Sequence, residues 1–257
     1  MMLLPANTTV HRLGRPIRIG SGNEAVLLLH GWTGWAGRLE YLAGRLAESG
    51  YTVDVPRLPG HGTNLADFLS TGATDWYRRA LDAYLDLAST HERVLVAGTS
   101  MGAVLTVILA TELSIDRIAL LAPALSVTRG AVALAPLIRP FVRRVRSDWR
   151  PENESDPEVR ELGSIYSTYN YVGPVCELLK LQRRARRALP ELTSDTLVVV
   201  SRADPTVPQT VTALIEQRAR PREFRKVLLD KSGHHVAEDV EREVVADSVV
   251  GWFARAR

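Results

Sequence analysis

Gly98-Thr99-Ser100-Met101-Gly102 is a G-x-S-x-G run. On a tight turn between a strand and a helix such a serine presents its hydroxyl to an acyl carbon. The turn leaves almost no room two residues before and after the serine, and Gly98 and Gly102 meet that demand. A helix beginning behind Ser100 would also favour the negative charge that develops in the reaction. A glycine-flanked serine equally makes an ordinary helix N-cap, so its partners decide. A serine hydroxyl is a weak nucleophile that needs a base, and the base needs a group to orient it.

In this arrangement the acid and then the histidine follow the serine in the chain. Asp204 stands in Ser201-Arg202-Ala203-Asp204-Pro205-Thr206-Val207-Pro208, just past the apolar run Thr196–Val200, at the strand end where ligands collect in open α/β sheets. Asp-Pro also starts turns, but position and order favour the acid. The next strand ends at Leu229, and Lys231-Ser232-Gly233-His234-His235 follows, with two adjacent histidines competing for the role of base. None of the other four of the chain's 6 histidines (His11, His30, His61, His91) comes after the acid. Two backbone N–H groups must hold the oxyanion. Met101, after the nucleophile, supplies one, and the loop His30-Gly31-Trp32-Thr33-Gly34-Trp35 supplies the other, assigned to the Trp32 amide. Gly31 lets that backbone approach the substrate. The Trp32 and Trp35 rings are candidates for a pocket wall or for packing between loop and cap.

The elements that must position these residues alternate. Ala25–Leu29 reads as a strand buried on both faces, 38–49 as a helix closed by Gly50, and 51–55 as a strand stopped by Pro56. Helix 74–90, strand 93–97, helix 101–113 and strand 118–121 repeat the unit. From 124 to 194 the alternation stops and the sequence turns Pro-, Arg- and helix-rich, with a polar stretch at 148–158 that reads as a mobile loop. An inserted cap is placed there. Strand 196–200, helix 209–218, strand 224–229 and helix 239–253 resume the pattern. The expected architecture is α/β: a doubly wound, mostly parallel sheet flanked by helices, with a core of 1–123 and 195–257 and a helical cap at 124–194. Leu134, Leu137, Ile138 and Val142 in the cap have the spacing of an apolar substrate site, and equally of a buried helix face.

The 257 residues suit one large domain, and 46% hydrophobic with 24% charged residues is an ordinary globular composition. A net charge of +3, carried mainly by dispersed arginines, does not imply nucleic acid. The clusters Arg143-Arg144 with Arg146, and Arg183-Arg184 with Arg186-Arg187, mark either an anionic membrane or substrate surface or solvated helix faces. One cysteine, Cys176, makes an internal disulfide impossible and reads as a small buried hydrophobe. The start, Met1 to Asn7, lacks the basic and long apolar regions of a signal peptide, and no stretch reaches the ~18 apolar residues of a membrane span. The expectation is a cytoplasmic protein, monomeric or a small homo-oligomer.

Leu27-Leu28-Leu29-His30-Gly31-Trp32-Thr33-Gly34, Pro59-Gly60-His61-Gly62, Gly72 to Trp76 and Val96 to Gly102 together resemble the small bacterial carboxylesterases of the α/β-hydrolase superfamily, relatives of the monoacylglycerol lipases. The likeness is strongest over 25–124, returns from 197 onward, and is faint in the cap. It implies a serine hydrolase that cleaves carboxylic esters through an acyl-enzyme on Ser100, without metal or organic cofactor, on a small-molecule ester. It also implies oxyanion donors at Trp32 and Met101 and an acid at Asp204. The family's histidine motif falls without gaps on Ser232, Gly233, His234 and Asp239, which prefers His234. His235 stands where valine is usual, so His235 is the alternative base. His61 in its Gly-His-Gly loop is read as structural. Monoacylglycerol lipase, thioesterase, carbon–carbon bond hydrolase and cofactor-free haloperoxidase activities fit the same triad. A non-catalytic ligand sensor on this fold is the reading from another class.

Overall fold

The computed structural model describes residue 5 and residues 8–128 and 133–254. Apart from Pro5, the start of the chain through Asn7 lies outside the described residues. The main sheet is built from β1 (Ile17–Ile19), β2 (Glu24–Leu29), β3 (Thr52–Val55), β4 (Arg93–Thr99), β5 (Arg117–Leu121), and, after an excursion that contains β6 (Arg144–Arg146) and β7 (Tyr169–Tyr171), β8 (Asp195–Ser201) and β9 (Phe224–Leu229). Its order is β1-β3-β2-β4-β5-β8-β9. Every pairing is parallel except that of β1 with β3.

Strand side chains alternate between faces, and in β2 this divides one apolar run between two cores. Ala25, Leu27 and Leu29 enter one, Val26 and Leu28 the other. The second core is closed by α1 (Glu40–Glu48) through Leu42, Ala43 and Leu46, and by α9 (Arg242–Ala254) through Val245, Val249, Trp252 and Phe253. The first is closed from the opposite face. There α2 (Leu65–Ser70) contributes Phe68, α3 (Ala73–Ala88) contributes Trp76 and Ala80, and α4 (Met101–Glu112) is buried along its first ten residues. A helix apolar on all sides belongs inside, and α4 runs under the sheet's centre.

The described residues 122–128 and 133–194 lie between β5 and β8, which pair with each other in the sheet. They contain α5 (Ala135–Ile138), the exposed strand β6 paired antiparallel with β7, α6 (Pro157–Tyr166) and α7 (Val172–Ala188). Asp156 caps α6 by accepting from the Glu158 and Val159 amides, and Pro157 takes its first position. The stretch read as a loop from 148 to 158 holds a 3-10 turn at Pro151–Asn153 and then enters α6. Within the segment read as a cap, α7 lies along α4, and its Leu178, Leu181 and Ala185 join the main core. The Gln182 amide donates to the Ala124 carbonyl at 2.7 Å. Past β8, α8 (Val211–Arg218) completes the layer with Val211 and Ile215.

The strand order reverses between β2 and β4. In an open parallel sheet the crevice beyond the carboxyl ends of such neighbours is where ligands bind. Here the loop after β2 is His30–Trp35, and the turn after β4 is Ser100.

Candidate active site

Ser100 is held at φ 55° and ψ −113° between β4 and α4. A positive φ is strained for any residue with a Cβ, at about 1–3 kcal/mol. The surroundings enforce it. The Ser100 amide donates to the Leu121 carbonyl at 2.9 Å, and its own carbonyl accepts from Ala124 at 3.3 Å. A Cβ on Gly98 would come within 2.3 Å of the Gly102 backbone, and one on Gly102 within 2.0 Å of the Leu29 carbonyl oxygen. Both glycines are therefore required by contact. Met101 opens α4, so its N–H is one that a helix leaves without an intrahelical partner.

His234 Nε2 lies 2.9 Å from Ser100 Oγ, and His234 Nδ1 lies 2.9 Å from Asp204 Oδ2. Since the carboxylate only accepts, Nδ1 carries the proton and Nε2 accepts from the serine hydroxyl. The Asp204 carboxylate is 1% exposed. Burial pushes its pKa up, but the bond and charge of His234 and the Thr206 and Val207 amides, which Oδ1 accepts at 2.7 and 3.1 Å, outweigh this and leave it below the ordinary value. The turn that Asp204-Pro205 begins thus also orients the Asp204 carboxylate. His235 is exposed, its ring centroid 5.5 Å from that of His234, and its ring makes no hydrogen bond to Ser100 or Asp204.

The histidine loop is braced by carboxylates. Asp239 Oδ2 accepts from Gly233 N at 2.6 Å. Glu241 accepts from the amides of Asp230, Lys231 and Ser232 and from the Ser232 hydroxyl. Against a desolvation cost, the Ser232 hydroxyl and these amides hold Glu241 down to about 2.

The loop after β2 approaches the serine so closely that a Cβ on Gly31 would lie 3.2 Å from Ser100 Cβ. The loop turns through Gly34 N, which donates to the Gly31 carbonyl at 3.1 Å, and through Thr33 at φ 55°. Beneath it His30 is fully buried. Its Nδ1–H donates to Gly31 O at 3.0 Å, and its Nε2 accepts from Leu58 N at 3.1 Å. Burial, reinforced by the neighbouring His61, pushes His30 down to about 3. His61, also fully buried, donates to Pro59 O at 3.0 Å and packs edge-on to His30, Phe68 and Trp76. Burial pushes it down to about 4.

A cavity of about 20 Å³, lined by Gly31, Trp32, Arg38, Ser100, His234 and Glu238 among others, adjoins the serine. That is room for about one water. The Trp35 ring, a candidate pocket wall in the sequence, is 2% exposed and lies under the Arg38 guanidinium at 4.1 Å, so it supports the loop from below. Arg38 in turn pairs with Glu238, four residues past His234. Burial lowers the Arg38 pKa to about 10. This ion pair, which the sequence did not single out, ties the loop after β2 to the histidine loop. Opposite charges 200 residues apart carry no sequence pattern that would reveal it.

Ile138 and Val142 pack with Trp32 against Ala135, Val172, Val175, Cys176 and Leu179, whereas Leu134 and Leu137 are exposed. The apolar residues read together in the cap therefore divide between an inner and an outer face. Among the described residues no group of His, Cys, Asp and Glu is arranged to hold a metal.

Residues 26–247 match the family described as the alpha/beta hydrolase family. Over 93% of its length the chain is 28% identical to a thermostable monoacylglycerol lipase from Bacillus sp. (strain H-257), covering 94% of that protein. It is 25% identical to a carboxylesterase of Bacillus subtilis (strain 168), over 94% of this chain and 96% of the other. A solved structure of a metagenome-derived lipolytic enzyme, LipS or LipT, superposes with a TM-score of 0.86 at 25% identity, covering 97% of this chain and 100% of that one.

Proposed function

Because the chain belongs to the alpha/beta hydrolase family, we propose that it is a carboxylic ester hydrolase working through an acyl-enzyme on Ser100. The observation that carries the proposal is the continuous relay from Ser100 Oγ through His234 to Asp204, with both contacts at 2.9 Å. The similarity to a carboxylesterase and a monoacylglycerol lipase supports it.

In the first step Ser100 Oγ attacks the ester carbonyl carbon while His234 Nε2 takes its proton. Asp204 keeps Nδ1 protonated and stabilises the imidazolium. The amides of Met101 and Trp32 receive the oxyanion, each donor being worth about 10²–10³ in rate. The imidazolium then gives its proton to the departing alkoxide, and the alcohol leaves. A water deprotonated by the same nitrogen attacks the acyl carbon, and the acid is released with Ser100 reprotonated. No step calls on a metal or an organic cofactor.

The test is a panel of aryl esters from acetate to palmitate, run with a serine-directed phosphonate probe on the native protein and on Ser100→Ala. Turnover and one-to-one labelling are expected of the native chain and neither of the variant. A native protein that neither turns over nor labels would overturn the proposal. Because the cavity at Ser100 holds about one water, short acyl groups are expected to react best. A monoacylglycerol lipase, the second reading that the 28% identical relative supports, would instead prefer long chains and monoacylglycerols.

A further inference from the structure

One stretch of the excursion has two apolar faces. Its inner face, Ala135, Ile138 and Val142, is seated on α7. Its outer face carries Leu134, Leu137, Phe141 and Val145, exposed by 53%, 72%, 87% and 48%. An exposed leucine by itself means little, but four large apolar side chains within twelve residues form a patch of the kind that marks an interaction surface. Among the described residues, none covers Phe141, which is 87% exposed.

The charges around the patch say what would cover it. Arg139, Arg143, Arg144 and Arg146 are interleaved with the four apolar residues and are exposed. Arg144 extends over the Tyr169 ring at 4.3 Å. Between Asp116 and Asp148 the sequence contains no acidic residue. A second copy of this face would bring like charges together. A surface that accepts apolar side chains at shallow depth and supplies anions at the same level suits both features, and that is the interface of a bilayer. Among the described residues no helix is long and apolar enough to cross a membrane, so the contact is peripheral.

We propose that residues 134–146 dock the protein on bilayers containing anionic lipids, with Leu134, Leu137, Phe141 and Val145 entering the headgroup region and the interleaved arginines pairing with lipid phosphates. Trp32, which lines the cavity at Ser100, packs on the same α7 cluster as the inner face of this stretch. The docking itself does not rest on the ester hydrolase reading.

The experiment is flotation of the full chain with vesicles of phosphatidylcholine alone and of phosphatidylcholine with phosphatidylglycerol, at low and high salt, with the oligomeric state measured alongside. The native protein is expected to float with the anionic vesicles, weakly with the neutral ones, and less as salt rises. Phe141→Asp is expected to lower partitioning at least tenfold. Replacing the four arginines together by Gln is expected to lower it several hundredfold, at about fivefold per arginine. Val240→Asp, at a 72% exposed valine flanked by Asp239 and Glu241, should leave it unchanged. All these sites are exposed, and an unaltered thermal melt shows that each variant is folded. Absence of flotation with anionic vesicles, or flotation indifferent to both Phe141→Asp and the arginine replacement, would overturn the proposal. So would a dimer dissolved by Phe141→Asp without vesicle binding, because that would assign the face to a second copy.

Discussion

At the scale of single residues the two adjacent histidines make the sharpest test. With Nε2 of His234 on the serine and Nδ1 on the acid, His234→Ala is expected to lower kcat by about 10⁴–10⁶. His235→Ala, at an exposed residue outside that relay, should stay within about tenfold. Equal losses measured by steady-state turnover would refute the assignment. Asp204→Asn should cost about 10⁴ in kcat at little cost in binding, because an amide that donates to Nδ1 selects the wrong tautomer. These positions were legible because each answers a local demand. Gly98 and Gly102 are dictated by a turn with no room for a Cβ, and Asp204 by a strand end followed by turn residues. Arg38, Glu238 and Glu241 were not legible, since what fixes them is proximity created by folding. Glu241 gathers three amides and a hydroxyl that no spacing in the sequence connects to it.

At the scale of elements, the loop after β2 and the loop after β9 each carry part of the site, and Arg38 with Glu238 joins them. Removing one partner of a largely buried pair leaves the other charge uncompensated. Arg38→Met and Glu238→Gln are each expected to lower kcat about tenfold while leaving KM nearly unchanged, because the loop carrying Trp32 and the loop carrying His234 lose register with each other. The double variant should be no worse than the worse single one. Additive losses in a double-mutant cycle would show that the two act separately. The buried strands β2, β4, β5 and β8 were readable as uninterrupted apolar runs. Between 124 and 194 the reading lost resolution, because Leu134 and Leu137 face outward beside inward Ile138 and Val142, so no single periodicity describes them. The four-residue α5 and the three-residue β6 and β7 are too short to print a period at all.

For the whole molecule, His30 and His61 contribute to the pH dependence of stability. Both are buried neutral, held down to about 3 and about 4 against 6.5 for an unperturbed histidine. Below pH 6.5 the unfolded chain takes up protons that the folded chain refuses, so stability rises with pH in that range. The contribution of these residues is complete above pH 6.5 and is lost progressively as the pH falls, toward about 4 for His61 and about 3 for His30. The slope is about 1.4 kcal/mol per pH unit for each histidine. Urea unfolding at pH 7, 6, 5 and 4.5 should show this decline, and His61→Leu should flatten it. A flat profile for the native protein would contradict the burial of both rings as neutral groups. The strand order has a further consequence, for synthesis. Arg117 of β5 pairs with Asp195 of β8, so when β5 leaves the ribosome its neighbour has yet to be made. At roughly 5–20 residues per second that apolar strand waits about 4–15 s with one edge open. A chaperone that covers the edge should therefore raise soluble yield, at a stage when Ser100 has been made but Asp204 and His234 have not.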